Sequence, residues 1–497
     1  MKLENKRKKI LIVGAGPGGL TSAMILASRG FDVHLYEKAD VVGGRNSEIK
    51  KDGFTFDVGP TFLMLKFILD EMFAEAGEKI DDWLKFTRLD PMYRLAFGDF
   101  DLDISDDREK MKEQIKKHFP GEEIGLDAFL QREEKRFKAI YPIMQKSQSS
   151  FWNFFTPLFL KALPHMPLKA SLFDYLGNYF KSENLRLSFT FQAKYLGMSP
   201  FECPAFFIIL PYVEHKYGVY HVEGGLSMIS KKMSEVFQKK GGKLYLNTAI
   251  KEVLVEDKKT KGLMLSDGSK VFGDDVILNA DFAYAMNNLM PKGLLKKYSP
   301  QKIAKKKYSC STFMIYLGIK GEYKDMKHHT IFFSKNYRKN LETIFKEYTL
   351  SDEYSVYIRN ASVTDKTLAP PGMSNIYILA PMPNNKSGID WEKEKVRVRD
   401  SILNMIKDRT PLGDIRDRIV TEHIITPADW EKSGIYLGAT FNLSHSFDQL
   451  LMLRPHNKFE EVDNMYLVGG GTHPGSGLPT IYESGRIAAD LISGKKK

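Results

Sequence analysis

A glycine-rich turn near the start of the chain could hold a diphosphate. Gly14, Gly16 and Gly19 have the spacing GxGxxG, and Gly18 lies inside the same turn. The apolar run Lys9–Val13 precedes the turn as a buried parallel strand would, and a helical pattern of apolar residues follows it. In such a turn the first glycine permits the bend, the second lets the backbone approach a pyrophosphate, and the third lets helix and strand pack closely. The helix N-terminus adds free N–H groups and a positive dipole end, so this segment predicts a dinucleotide site.

Glu37 ends a second, alternating strand pattern at 31–37. Its distance from the last glycine is close to the spacing of about 20 residues at which such units place an acid on the adenosine ribose. Strand, glycine turn, helix, second strand and acid therefore follow one another in the order of a dinucleotide-binding unit. An ordinary glycine turn would not explain that order.

The C-terminal end carries a second unit of this kind. An apolar run at 466–468 leads into the loop GGGTHPGSGLP at 469–479, and a helical pattern follows, with Pro479 in its first turn. A helix N-terminus aimed at the edge of a redox-active ring would stabilise the negative charge that gathers there on reduction. We therefore expect one cofactor, with a pyrophosphate and a reducible ring, to use both ends of the chain. The loop residues expected to contact it are Gly470, Gly471, Thr472, Gly475, Gly477 and Leu478.

Two further segments resemble flavoproteins of the amine oxidase and polyene desaturase superfamily. Gly43-Gly44-Arg45 follows the acidic strand end, and Gly59-Pro60-Thr61 closes the next segment. In that superfamily the arginine and the neighbouring backbone hold FAD. The resemblance implies that Gly44, Arg45, Gly59, Pro60 and Thr61 do so here, against the alternative that Arg45 is a solvated surface residue.

The C-terminal loop is similar to the signature of bacterial phytoene-type carotenoid desaturases, the phytoene and diapophytoene desaturase family. Weaker matches to that family lie at 195–200, 222–225, 279–281 and 368–372. The resemblance implies an α/β fold with a discontinuous Rossmann-like FAD-binding domain, an α+β substrate domain and a helical membrane-facing segment. It also implies an FAD-dependent oxidoreductase of carotenoid biosynthesis. Such an enzyme introduces C=C bonds into a colourless precursor by hydride transfer to flavin.

Other activities on the same scaffold stay open at this point. A carotenoid oxygenase or a cis–trans isomerase has nearly the same motifs, and prenyl-binding escort proteins share the fold without redox chemistry. The intact glycine turn, Glu37 and Arg45 argue against an escort, and the C-terminal loop fits an amine oxidase less well. Desaturation releases a proton, and motif position offers Glu223 and Asp281 as the base, with a structural role for either as the alternative. The sequence leaves open whether the polyene has 30 or 40 carbons, and in which oligomeric state the chain works.

The resemblance also divides the chain into five segments. Residues 1–81, 219–299 and 441–497 would form the FAD-binding domain, and 82–218 and 300–440 the substrate side. Within the second FAD-binding segment, alternating patterns on both sides of Asp267-Gly268 predict a hairpin.

A stretch from 135 to 173 has no acidic residue but many aromatic rings and several cations. Such a composition is typical of a segment that lies in a membrane interface, with its rings at headgroup depth. The alternative is an internal helix under a loop. Pro157, Pro164 and Pro167 argue against one continuous helix in either case.

The composition agrees with a globular protein that meets an anionic partner. Of the 497 residues 43% are hydrophobic and 27% charged, and the formal net charge is +11. No apolar stretch approaches the length of about 20 residues that a helix needs to span a bilayer. The positive charge suits a membrane surface. The basic tracts carry no nucleic-acid-binding motif, so we expect no nucleic-acid partner.

The cysteine content and the N-terminal sequence indicate a reducing compartment. Cys203 and Cys310 have neither metal nor redox spacing, and no other metal motif occurs, so the sequence predicts no metal site. A strand begins too early for a signal peptide to precede it. The expected location is cytoplasmic and peripherally membrane-associated, with a long hydrophobic polyene as substrate.

Overall fold

The computed structural model describes residues 7–167 and 170–495 of the chain. Its strands are β1 (Lys9–Val13), β2 (Asp32–Tyr36), β3 (Glu48–Lys51), β4 (Phe54–Asp57), β5 (Phe86–Arg88), β6 (Tyr93–Ala96), β7 (Asp101–Ile104), β8 (Tyr220–Val222), β9 (Lys243–Tyr245), β10 (Ile250–Glu256), β11 (Lys259–Leu265), β12 (Lys270–Phe272), β13 (Asp275–Leu278), β14 (Ser311–Lys320), β15 (His329–Phe332), β16 (Val356–Asn360), β17 (Met373–Met382), β18 (Ile419–Ile425) and β19 (Met465–Leu467). Its α-helices are α1 (Pro17–Ser28), α2 (Lys66–Glu75), α3 (Arg108–His118), α4 (Glu123–Met144), α5 (Pro157–Ala162), α6 (Leu172–Leu176), α7 (Glu183–Ser188), α8 (Ile209–Tyr217), α9 (Ser227–Lys239), α10 (Phe282–Asn288), α11 (Pro300–Ala304), α12 (Tyr337–Glu342), α13 (Trp391–Arg409), α14 (Pro427–Lys432) and α15 (Leu478–Ser493).

A parallel sheet with the strand order β19-β13-β1-β2-β9 forms the first layer. Its strands come from the start, the middle and the end of the chain, which confirms the expected discontinuous Rossmann-like domain. β1 is almost wholly buried because α1 and α15 cover it on one side and an apolar cluster around α10 lies on the other. Helices on both faces are what a buried parallel strand requires.

The ends of two predicted strands shift by one residue. β2 begins at Asp32 instead of Phe31, because the Phe31 amide donates to the Leu26 carbonyl at the end of α1. β19 ends at Leu467, so Val468 already belongs to the glycine loop. The hairpin around Asp267-Gly268 is confirmed by the pairing of β11 with β12.

A second sheet forms the other large layer, with the strand order β18-β14-β17-β16-β15-β6-β7. Most of its pairs are antiparallel, and β15 pairs with β6 in parallel. One face packs on α13 through Trp391, Val398 and Ile402. The mixed sheet with its helices gives the α+β part of the predicted fold.

Residues 135–144 of the acid-free stretch complete α4, and the part after it folds as short pieces, in agreement with its prolines. Turns of 3-10 helix at 151–155 and 163–165 flank α5. Phe159 and Phe173 are buried in the core, whereas Trp152, Phe155, Leu160 and Leu163 are exposed. Residues 168–169, part of the same expected stretch, lie outside the described residues. Among the residues that are described, no helix has both the length and the apolar character to cross a membrane.

Candidate cofactor and substrate site

The glycine turn between β1 and α1 is folded onto a single side chain, that of Asn279 at the end of β13. Asn279 Nδ2 donates to the Gly14 carbonyl at 3.0 Å, and Gly14 has a φ of +94°. A Cβ atom at Gly16 would lie 2.8 Å from Asn279 Nδ2, and one at Gly18 would lie 2.9 Å from Oδ1. A Cβ at Gly19 would lie 2.2 Å from the Gly14 carbonyl oxygen. The turn is therefore a cradle that side chains would fill, which fits a bound pyrophosphate at the N-terminus of α1.

Glu37 lies immediately after β2 with its carboxylate held by the backbone. Oε2 accepts from the Ala15 amide at 2.8 Å, and Oε1 accepts from the Ala39 amide at 3.0 Å. The side chain is buried yet lines the cavity described below. A carboxylate has about four acceptor positions. The two that the backbone leaves free suit the hydroxyl groups of a ribose.

Arg45 and Asp281 form a polar wall between the two ends of the site. Asn442 bridges them when its amide is oriented to satisfy both groups. The amide nitrogen then donates to Asp281 Oδ2 at 2.7 Å, and the amide oxygen accepts from the Arg45 guanidinium at 2.7 Å. Arg45 also donates to the Thr440 carbonyl at 2.5 Å. Burial raises the pKa of Asp281, and the Arg45 charge counteracts that shift. Arg45 is therefore a built-in cation of the site and not a solvated surface residue.

The C-terminal loop divides into residues on the wall of the cavity and residues behind it. Gly470, Gly477 and Leu478 line the cavity. Gly471 and Gly475 lie behind the wall: Cβ atoms there would lie 2.5 Å from Phe282 Cβ and 2.6 Å from His445 Nε2.

The buried guanidinium of Arg454 holds this loop from behind. It donates to the carbonyls of Thr472 at 3.2 Å and Gly470 at 2.6 Å. Because its described partners are backbone carbonyls, burial lowers the pKa of Arg454 to about 9. Thr472, which is also buried, therefore contributes through its backbone to the shape of the loop.

These elements surround one cavity of about 1330 Å³. Gly14, Gly16, Glu37, Arg45 and Asp281 line its polar part, and Gly44, Gly59, Pro60 and Thr61 continue that wall. Its apolar part is lined by Phe62, Met64, Phe191, Met314, Ile331, Leu379 and Phe441. A site for one ligand typically measures about 300–1,000 Å³. The cavity therefore offers room for a dinucleotide and an apolar molecule side by side.

The two acids that motif position suggested as bases lie in different environments. Asp281 lines the cavity, caps α10 by accepting from the Tyr284 amide at 3.2 Å, and faces Arg45. Glu223 is half-exposed, pairs with Lys85 at 3.3 Å and is not among the described residues that line the cavity. Glu223 is thereby placed away from any ligand in the cavity.

Several polar residues of the cavity escaped sequence reasoning. Asn279, Lys194, Tyr357 and Tyr377 all line it. Lys194 Nζ lies 4.8 Å from the centre of the Tyr337 ring, and burial lowers the pKa of Lys194 to about 8. Asn279 had a usable signal, because it directly follows a predicted strand that would end at the same sheet edge as the glycine turn. The others had none.

Comparison with known proteins agrees with this geometry. A family model described as flavin containing amine oxidoreductase matches residues 17–493. The chain is 50% identical over 491 residues to a 4,4'-diapophytoene desaturase (4,4'-diapolycopene-forming) of Methylomonas sp.. That alignment covers 99% of this chain and 96% of that protein. It is 33% identical to a 4,4'-diapophytoene desaturase (4,4'-diaponeurosporene-forming) of Staphylococcus haemolyticus, over 97% of this chain and 98% of that one.

Among solved structures, an oxidoreductase from Methanosarcina mazei has the same fold. Its TM-score is 0.64 at 15% identity, over 98% of this chain and 100% of that one. The resemblance to phytoene-type desaturases is thus confirmed. The chain belongs to the family of flavin-containing amine oxidoreductases, and its cofactor is FAD.

Proposed function

We propose that this chain is a desaturase that introduces C=C bonds into 4,4'-diapophytoene, a colourless carotenoid precursor of 30 carbons. The observation that carries the proposal is the single cavity in which a dinucleotide cradle opens onto an apolar chamber. The 50% identity to a 4,4'-diapophytoene desaturase supports the choice of the C30 substrate over a C40 one.

Each part of the site has a task in this reaction. The glycine turn and the start of α1 hold the pyrophosphate, Glu37 the ribose, and Arg45 with the 469–478 loop the remainder of FAD. Oxidised flavin supplies the hydride acceptor. The apolar residues hold the hydrocarbon in near-contact and exclude water, which would otherwise react with a cationic carbon.

The substrate must reach the cavity from a lipid phase, because long polyenes do not dissolve in water. We propose that the segment 151–165 rests on the membrane surface. Trp152 is 75% exposed and Phe155 58% exposed, although large apolar side chains are normally buried. Leu160 and Leu163 are exposed in the same segment, and the net charge of +11 favours anionic lipids.

Pigment formation in cells tests the substrate directly. The gene should be expressed in two bacterial hosts, one producing the C30 precursor and one the C40 precursor. We expect the C30 host to form a coloured polyene, identified by its absorption bands and mass. An oxygenated product would indicate an oxygenase, and a product of unchanged mass an isomerase; either result would contradict the proposal.

A further inference from the structure

We propose that Tyr357 and His329 take up the proton that desaturation releases. This inference rests on the proposed function, because a proton acceptor is needed only when a neighbouring C–H bond also loses a hydride. It assigns a chemical task to residues that no motif singled out.

Three side chains form a hydrogen-bonded chain that starts at the cavity wall. Thr61 Oγ1 and Tyr357 Oη, which belong to two lining residues, are 2.7 Å apart. Tyr357 Oη is in turn 2.7 Å from His329 Nδ1. His329 is fully buried in β15 behind Tyr357, and the Phe62 ring stacks on it at 4.1 Å between centroids. Among the described residues, the chain thus leads from the cavity to one enclosed imidazole.

The proton path requires His329 Nδ1 to be the acceptor in this chain of hydrogen bonds. Thr61 then donates to Tyr357, Tyr357 donates to His329, and the imidazole carries its own proton on Nε2. His329 Nε2 is buried and has no hydrogen-bond partner among the described residues. An imidazole nitrogen left unpaired at this depth costs stability, since most buried polar groups in proteins have a partner. Such a residue is better explained by a chemical task than by a gain in stability.

A buried ionic cluster lies behind His329. Arg359 donates to Asp57 Oδ2 at 2.7 Å and to His328 Nε2 at 3.2 Å. Its guanidinium also lies 3.1 Å from His221 Nδ1. His221 Nε2 lies 2.9 Å from Asp365 Oδ2. With its histidines neutral, this cluster contains two carboxylates and one guanidinium, so it carries one surplus negative charge. At His329 itself the guanidinium is the nearest charge of the cluster, because Arg359 is the β16 residue that pairs with it, and this charge opposes a lasting positive charge on the imidazole.

The step conserves atoms and electrons. A substrate carbon gives up a hydride to the oxidised cofactor. The adjacent C–H bond then breaks, its electron pair becomes the second bond of the new C=C, and its proton reaches Tyr357 Oη. The original hydroxyl proton of Tyr357 moves to His329 Nδ1.

A weak base is sufficient for this step. Burial, and then the charge of Arg359, hold the pKa of His329 well below its ordinary value. A carbon that has lost a hydride is so acidic that even such an imidazole can accept the adjacent proton. The low pKa also makes His329 release the proton readily before the next cycle.

Paired substitutions separate this task from a structural one. In the FAD-loaded enzyme, Tyr357→Phe and His329→Gln should slow anaerobic flavin bleaching by 4,4'-diapophytoene in liposomes about 100-fold or more, as loss of a general base does. FAD content should stay unchanged. Tyr354→Phe removes another buried hydroxyl and His215→Gln another buried imidazole. Neither residue is among the described residues that line the cavity, so both variants should change the rate less than twofold.

The protonation state of His329 gives a second readout that does not depend on turnover. Nitrogen-15 NMR of the histidines in the FAD-loaded enzyme, with His329→Gln for assignment, should show a neutral ring with its proton on Nε2 at pH 7. A charged ring, or a proton on Nδ1, would overturn the proposal. Unchanged bleaching rates in both variants would also overturn it while leaving the desaturase intact, whereas absence of bleaching in the wild type would refute the proposed function itself.

Discussion

Asn279 and Gly14 are joined across 265 residues of chain by a hydrogen bond of 3.0 Å from the side-chain amide to the carbonyl oxygen. This bond attaches the cofactor turn after β1 to the end of the neighbouring strand β13. The turn is therefore shaped by two distant parts of the chain, and its tolerance to substitution depends on both.

Gly16→Val should remove most of the bound FAD. Its Cβ would lie 2.8 Å from Asn279 Nδ2 and would also narrow the path of the pyrophosphate. Flavin absorbance per protein after purification measures the loss. The double variant Gly16→Val/Asn279→Ala distinguishes the two causes. It should remain poor in FAD, and full recovery would show that the clash with Asn279 alone was responsible.

Glu37→Ala should weaken FAD binding about tenfold or more, because it removes charge-assisted hydrogen bonds worth about 1.5–3 kcal/mol each. Glu37→Gln, which keeps one acceptor oxygen, should lose less. Glu223→Ala is the matched control, since this acid is half-exposed and lies outside the described cavity wall. Titration of the apoprotein with FAD provides the dissociation constants, and equal values for all four proteins would contradict the ribose assignment.

The exposed residues of segment 151–165 should anchor the protein to lipid. The variant Trp152→Ser/Phe155→Ser/Leu160→Ser should no longer co-sediment with anionic liposomes, while it retains FAD. Phe159 must be left intact because it is buried in the core. The double variant Phe272→Ser/Val396→Ser is the control, because it removes apolar side chains that are similarly exposed but lie outside the segment.

In this comparison the control should sediment like the wild type, and high salt should release the wild type only in part. Salt screens the charge attraction but not apolar insertion. Unchanged sedimentation of the triple variant would show that the segment does not contact the membrane.

Acid should destabilise the fold below about pH 6.5. Burial holds the pKa of His215 at about 4 and that of His473 at about 3, whereas a histidine in the unfolded chain titrates near 6.5. Between these values the unfolded chain binds protons that the folded chain excludes. Each group then lowers the free energy of unfolding by about 1.4 kcal/mol per pH unit as the pH falls.

The variant His215→Gln tests this assignment through the pH dependence of the free energy of unfolding. The free energy of unfolding, measured with urea between pH 7 and 5, should depend less steeply on pH than in the wild type, by about 0.9 kcal/mol per unit averaged over this range. An identical slope would mean that His215 is not neutral in the folded protein.

The parts of the site that were predictable are local in sequence. β1, the glycine turn and Glu37 lie within one βαβ unit, whose spacing reflects the geometry of a strand and a helix that must pack together. The C-terminal loop has the same kind of signal, although its spacing does not reveal that Gly475 faces His445 and not the cavity.

The residues that were missed depend on strand pairing between distant segments. Tyr357 reaches the cavity because β16 pairs with β15 and β17, and this register places its hydroxyl beside His329. The adjacent histidines His328 and His329 form no motif in the sequence. Their actual partners, Arg359 and Tyr357, could not be inferred without the sheet register.

Anaerobic mixing of the purified enzyme with 4,4'-diapophytoene in liposomes tests the central claim most directly. The flavin band should bleach while polyene absorption grows at longer wavelength, with one new C=C bond formed per reduced flavin. Flavin that stays oxidised with this precursor, but is reduced by an amine or by an already coloured carotenoid, would contradict the desaturase assignment.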